Sequence, residues 1–289
     1  MRVAVVGAGV IGVTSAFAVK SAFPSYDVKI FADAFSPDTT GDGSAGLWSP
    51  YLLGDTPVDN ITDKDNVHPE WEKLVYGFHK GYHFVTYTAE PTLLLPWLMK
   101  KFVTLGGKME RRNVKRLHEL AEEGYDLIIN CSGLGARELI ADKTMTPIRG
   151  QIYKVKAPWT MQCFLVDDDD DCNYIIPNMH SVVLGGTHQE GDFDRSVREE
   201  DSEHIYKGCC RLMPSLQASQ IIRAWVGLRP GRPRVRLECE ALNTPMGREF
   251  KVIHNYGHGG SGVTLCWGCA LDVVEMTRNL KVPKLNSKL

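Results

Sequence analysis

Hydrophobic and polar positions change period several times along this chain, and each change marks an element. Arg2-Val-Ala-Val-Val6 is a continuous apolar run too short for a helix, which predicts a buried strand. Gly7, Gly9 and Gly12 follow, then a run over 13–21 with helical character. Residues 28–31 predict a second strand ending at Ala32-Asp33, so the chain opens with a βαβ unit. Residues 93–105 predict a helix with Pro96 in its first turn, closed by Gly106-Gly107. Strands are predicted over 108–114 and 125–131, the second running into Ser132-Gly133.

After Pro147 the pattern becomes that of short β segments, at 151–155, 174–177, 181–184 and 221–226, joined by Gly, Pro and Asp. One helical stretch, 199–213, interrupts them. The chain closes with a strand over 250–255, a glycine-rich turn and a helix over 262–280. The fold class expected is therefore α/β joined to α+β: a Rossmann-like nucleotide-binding part and a second, mostly antiparallel β part.

Composition removes several functions. A hydrophobic fraction of 43% with 24% charged residues belongs to an ordinary globular chain and excludes disorder. The net charge of −2 argues against a nucleic-acid binder held by bulk charge. Eight cysteines in 289 residues are too few for a disulfide scaffold, and adjacent Cys209 and Cys210 make a poor bridge, so free and mostly buried thiols are expected. The apolar stretch from Met1 to Val19 is punctuated by glycines and lacks a small-residue cleavage site, so it is read as neither signal peptide nor membrane span. The final Ser287-Lys288-Leu289 is the tripeptide read by the peroxisomal import receptor, which makes the peroxisome matrix the expected location.

The strongest chemical motif is strand, Gly7-x-Gly9-x-x-Gly12, helix, strand, Asp33. Gly7 permits the tight turn, Gly9 lets the backbone approach a pyrophosphate, and Gly12 lets helix and strand pack. The helix N-terminus offers N–H groups and partial positive charge to phosphates, and Asp33 can accept from a ribose hydroxyl. Two further small-residue strand ends, Asn130-Cys-Ser-Gly133 and His258-Gly-Gly-Ser-Gly262, suit a long flavin dinucleotide better than NAD. Cys266-x-x-Cys269 is a single pair without a second, and Asp167–Asp171 has Cys172 where a calcium loop needs glycine, so no metal is expected.

These residues resemble the D-amino-acid oxidase and D-aspartate oxidase family. The resemblance rests on Arg2-Val-Ala-Val-Val-Gly-Ala-Gly-Val-Ile-Gly12, Ala45-Gly-Leu-Trp48 with Pro50-Tyr51, and Arg149-Gly-Gln151. It continues through Tyr174-Ile-Ile-Pro177, Leu184-Gly-Gly186, Gly227-Leu-Arg-Pro230, Ile253-His-Asn-Tyr-Gly-His-Gly-Gly260, Trp267-Gly-Cys-Ala270 and the Ser-Lys-Leu tail. It implies an FAD domain assembled from 1–50, 88–145 and 237–289 and a substrate domain from 51–87 and 146–236. It also implies oxidative deamination of a D-amino acid, O2 as acceptor, hydrogen peroxide as product, and a homodimer. Arg229 would grip the substrate carboxylate, Tyr174 would hydrogen-bond it, Gly260 would offer its carbonyl to the amine, and His188 would lie near the substrate side chain. The FAD would be lined by Gly7, Ala8, Gly9, Val10, Ile11, Gly12, Asp33, Thr39, Thr40, Ala45, Gly46, Leu47, Val114, Ser132, Gly133, Gly259, Gly260, Gly262, Val263 and Thr264.

Two departures from that family pattern stand out. The stretch from Tyr51 to Tyr82 is shorter than the family usually has, which implies reduced helical cover over the substrate domain. The segment before Tyr174 carries five aspartates, which would repel a second substrate carboxylate, so neutral or basic D-amino acids are the expected substrates. D-aspartate oxidase, a sarcosine- or glycine-type amine oxidase, and a shortened paralogue of weak or no activity are the alternatives.

Overall fold

The computed structural model describes residues 1–49, 55, 85–166 and 172–280. The shortened 51–82 stretch (Asp55 apart), the five aspartates and the Ser-Lys-Leu tail lie outside the described residues. The opening βαβ unit comprises β1 (Arg2–Val6), α1 (Val10–Ala22) and β2 (Asp27–Ala32). Then come α2 (Pro91–Thr104), β3 (Lys108–Arg111), α3 (Leu117–Glu122), β4 (Leu127–Asn130) and the short α4 (Ala136–Leu139). The second region holds β5 (Thr146–Lys156), β6 (Phe164–Leu165), β7 (Tyr174–Pro177), β8 (Val182–Gly185), β9 (Gln189–Glu190), α5 (Glu199–Leu212) and β10 (Gln220–Gly231). The chain then returns with β11 (Arg236–Asn243), β12 (Glu249–Tyr256) and α6 (Gly262–Asn279).

Two six-stranded sheets result. The first has the order β11-β12-β4-β1-β2-β3, parallel except for the antiparallel edge strand β11. Both of its faces are covered, which is why β1 and β4 are apolar at nearly every position. On one face Val3, Val5, Ile129 and Ile253 pack with Val13 and Ala16 of α1, Leu95 and Phe102 of α2, and Val273 of α6. On the other, Ala4, Val6, Ile128 and Val252 meet Leu117 and Leu120 of α3. The second sheet is antiparallel, in the order β10-β5-β8-β7-β6 with β9 also on β5, and α5 buries Ile205 and Cys209 against it.

The structure corrects three expectations. Helix α2 begins at Pro91, and Pro96 lies inside it rather than in its first turn. Pro91 fills the position where a missing N–H is harmless, while Leu95, Leu98 and Phe102 anchor the helix despite the interior proline. Strand β10 runs on through Gly227-Leu-Arg-Pro-Gly231, because an edge strand tolerates a proline that a central one would not. Strand β11 is additional: its Glu238 and Glu240 hide its β character in the sequence and suit an exposed edge.

Candidate functional site

The first turn of the βαβ unit forms a cradle at the carboxyl end of the parallel sheet. The Gly7 N–H donates to the Phe31 carbonyl (2.8 Å), and Gly7 has φ of +108°. A β-carbon there would come 2.3 Å from the Cys131 carbonyl oxygen, and one at Gly12 would come 2.0 Å from the Gly7 carbonyl oxygen. Gly9, which caps α1, is different: a β-carbon there would meet nothing within 4 Å among the described residues. Ala8 and Val10 are buried in the core, and Ile11 packs against it. The first turn of α1 carries no acidic residue, so its N–H groups and dipole are available to an anion.

The end of β4 and the start of α6 both reach this turn. The Ser132-Gly133 turn follows β4, and the Ser132 hydroxyl is buried without a partner among the described residues. The start of α6 reaches α1, a β-carbon at Gly262 standing 3.6 Å from Val10 Cγ1. Val263 packs into the core, and the Thr264 hydroxyl donates to the Ser49 carbonyl (2.8 Å) while accepting from the Ser49 N–H (3.0 Å). Thr39 caps the turn beginning at Thr40, its hydroxyl donating to Asp42 Oδ2 (2.6 Å). Gly46, at φ +73°, accepts the Ala89 N–H (2.8 Å), and Leu47 bridges to Thr88.

Asp33 is exposed at the end of β2, its backbone carbonyl receiving Arg111 Nη1 (3.3 Å). Val114 is buried on the α3 face of the sheet, and His188 is exposed.

The second sheet presents Arg229 and Tyr174 together, the guanidinium hydrogen-bonded to the phenol. Each lies on a glycine. A β-carbon at Gly150 would stand 2.3 Å from Arg229 Nη1, and one at Gly185 would stand 2.0 Å from Tyr174 Cζ. Arg229 Nη1 also donates to the Thr187 carbonyl (2.9 Å), and the Thr187 hydroxyl accepts the Gln151 N–H (2.8 Å). Burial pushes the Tyr174 phenol pKa up, with Arg229 pulling it back. Thr187 and Gly150 were not legible as site residues, since their approach to Arg229 follows from strand register.

The loop after β2 and the turns after β4 and β12 meet the second sheet here. Ala45 packs with Ile152, Ile176 and Val183, and Leu47, Tyr174 and Trp225 pack against the same cluster. Pro230, next to Arg229, accepts the Gly259 N–H (3.0 Å) and lies 3.7 Å from where a β-carbon of Gly133 would be. Gly260 follows, half-buried. His258 is buried with neither ring nitrogen partnered among the described residues, and burial pushes its pKa down to about 4. A glycine cradle, two helix N-termini without acids, and the orphaned Ser132 hydroxyl and His258 ring fit an anionic dinucleotide.

Comparison with known proteins agrees. A family model described as FAD-dependent oxidoreductase matches residues 54–276. Human D-aspartate oxidase is 36% identical over 341 residues, covering 100% of this chain and 99% of the relative. That alignment exceeds the 289 residues here, so the relative has internal positions without counterpart in this chain. D-amino acid oxidase of Dugesia ryukyuensis is 34% identical over 330 residues, covering 97% and 98%. Among solved structures, glycine oxidase from Geobacillus kaustophilus has a TM-score of 0.75 at 17% identity, covering 97% of this chain and 96% of that one, a likeness of fold. The chain therefore belongs to the FAD-dependent oxidoreductase family that includes the D-amino-acid and D-aspartate oxidases.

Proposed function

We propose that this chain oxidises D-amino acids to 2-oxo acids, ammonia and hydrogen peroxide, using FAD and dioxygen. The observation that carries this reading is the Arg229–Tyr174 pair, seated on glycines and joined through Pro230 to the Gly133 and Gly259 turns. Ser132, Gly133, the Gly7–Gly12 turn and the start of α6 would hold the FAD. When bound, FAD supplies the two-electron acceptor for the substrate Cα–H and passes those electrons to dioxygen.

Arg229 binds the α-carboxylate through two parallel N–H groups, and the Tyr174 hydroxyl donates to the same carboxylate. The Gly260 carbonyl receives an N–H of the neutral amine, which fixes a second substituent, and with the reacting Cα–H as the third this selects one enantiomer. As the Cα–H leaves with its electron pair, the nitrogen lone pair forms the C=N bond. Water then hydrolyses the imine to 2-oxo acid and ammonia. No side-chain acid or base is required, and the protein contributes orientation.

The five aspartates before Tyr174 support a neutral or basic substrate. The D-aspartate oxidase relative supports the other preference. Rates with D-Ala, D-Arg and D-Asp separate the two, and fastest turnover of D-Asp overturns the first.

Purified protein should bind FAD, turn yellow and bleach anaerobically with a D-amino acid and not its L-enantiomer. Arg229→Ala should keep the colour and lose the bleaching, and near-normal bleaching by that variant would sink the assignment. Ser287-Lys288-Leu289 supports peroxisomal import, tested by whether a tagged chain lacking these residues still reaches peroxisomes. The family resemblance also supports a homodimer, which light scattering checks.

A further inference from the structure

A line of polar side chains crosses the first sheet and plays no part in the chemistry above. Asn130 ends β4, and His254 of β12 faces it in the parallel register. Both are fully buried. The Ser132 N–H donates to Asn130 Oδ1 (3.2 Å). A backbone N–H can only donate, so the amide oxygen is fixed on that side and Asn130 Nδ2 must face His254, 3.1 Å away. An amide NH2 can only donate in turn, so His254 Nδ1 accepts. Its proton therefore sits on Nε2, which donates to Glu240 Oε1 at 2.7 Å. Arg236 Nη2 reaches the other oxygen of Glu240 at 3.5 Å, and Arg236 Nη1 donates to the Tyr256 hydroxyl at 3.0 Å, which anchors the outer end.

Every hydrogen bond in this chain has one direction, from the Ser132 backbone to a partly exposed carboxylate. An apolar pair would fill the Asn130 and His254 positions at lower desolvation cost, and what the polar pair adds is a fixed setting for Ser132. A second proton on His254 would defeat it. Nδ1–H would confront the Asn130 NH2, and the amide cannot flip without turning that NH2 onto the Ser132 N–H. The groups facing His254 are Glu238, Glu240 and Arg236 of β11, Asn130 of β4, and Tyr256 edge-on at 5.8 Å. Burial, helped by Arg236 and opposed by the two glutamates, keeps the ring neutral.

We propose that Glu240, His254 and Asn130 are positioning residues for the FAD-holding turn at Ser132-Gly133, locked by the neutral Nε2–H form of His254 and released by its protonation. This rests on the reading of the chain as an FAD enzyme. It is tested by FAD dissociation constants from flavin fluorescence between about pH 5 and 8, together with imidazole NMR. Unsubstituted protein should show the Nε2–H tautomer and lose FAD affinity as pH falls. His254→Asn keeps an acceptor toward Asn130 without a titrating ring and should flatten that profile. His254→Phe should weaken FAD binding about ten-fold at neutral pH, the worth of a lost buried hydrogen bond. Asn130→Asp should place protons on both nitrogens of His254.

A proton on Nδ1 in the unsubstituted protein, or FAD binding that none of these substitutions alters, would overturn the inference and leave the oxidase reading intact. Failure of the unsubstituted chain to bind FAD at any pH would overturn that reading, and the inference with it.

Discussion

The guanidinium of Arg229 lies flat on Gly150: a β-carbon at position 150 would stand 2.3 Å from Nη1 and 2.5 Å from Cζ. The strand pairing explains it. Gly150 faces Gly227 across β5 and β10, Arg229 pairs with Ile148, and its side chain reaches back over the space that Gly150 leaves. The clash concerns the tip of a long side chain, so the fold should absorb it. Gly150→Ala is therefore expected to shift Tm by only a few degrees while raising KM for a D-amino acid on the order of ten-fold through the displaced carboxylate grip. Unchanged KM would detach Arg229 from substrate binding.

Gly9 and Gly12 should separate ligand approach from packing. A β-carbon at Gly12 meets backbone, 2.0 Å from the Gly7 oxygen, and neither partner can swing away. Gly12→Ala is expected to cost roughly 1–3 kcal/mol of stability as well as FAD affinity. A β-carbon at Gly9 meets nothing within 4 Å among the described residues, so Gly9→Ala should cost less than about 1 kcal/mol yet still weaken FAD binding, because its methyl enters the space expected for the pyrophosphate. Urea unfolding and flavin fluorescence on the two variants read the two effects, and equal losses in both would argue against the distinction.

Asp142 ties the two chain crossings between the sheets. It lies in the β4-to-β5 passage and receives Tyr256 Oη (2.7 Å) and Arg232 Nε (3.1 Å), the latter from the β10-to-β11 passage. Burial raises its carboxyl pKa, but hydrogen bonds from Thr144, Tyr256 and Arg232 outweigh this and hold it well below the usual range. A depressed folded pKa means stabilisation that is complete above the unfolded value near pH ~4 and lost as pH falls below it. Asp142→Asn should cost roughly 1–3 kcal/mol at neutral pH by urea unfolding, and the difference should shrink progressively in acid.

The glycine fingerprint and the β-rich second region are legible in the sequence because each depends on local residue type at fixed spacing, whereas Arg229 and Tyr174, on separate strands, come into view only through the family resemblance. What is not legible depends on register. Nothing near Gly150 in sequence announces that Arg229 will lie on it, and Thr187 is exposed as an orienting residue only once its carbonyl meets Arg229 Nη1. Strand β11 escapes because an edge strand needs no apolar alternation, and Pro96 misleads because Pro91, outside the predicted helix, is the true first-turn proline. The Glu240–His254–Asn130 chain joins the consecutive strands β11 and β12 to β4, which lies far earlier in the sequence, so only the sheet order reveals it.

His258 supplies a pH test independent of activity. Its ring is buried, both nitrogens lack partners among the described residues, and burial alone brings its pKa down to about 4. In the unfolded chain the ring titrates near ~6.5, so between those values the unfolded state binds the extra proton and acidification favours unfolding. The sign is therefore a stability that rises with pH through this window and is level above it. The window is worth on the order of 3 kcal/mol for a fully enclosed ring. His254, also held neutral by burial, adds to the same slope, so the informative quantity is the difference made by one substitution. His258→Phe removes the titration while keeping an apolar ring, and is expected to remove that share of the slope in urea unfolding from neutral pH to about pH 4. An unchanged slope would mean that His258 acquires a partner or water in solution, and with it the proton.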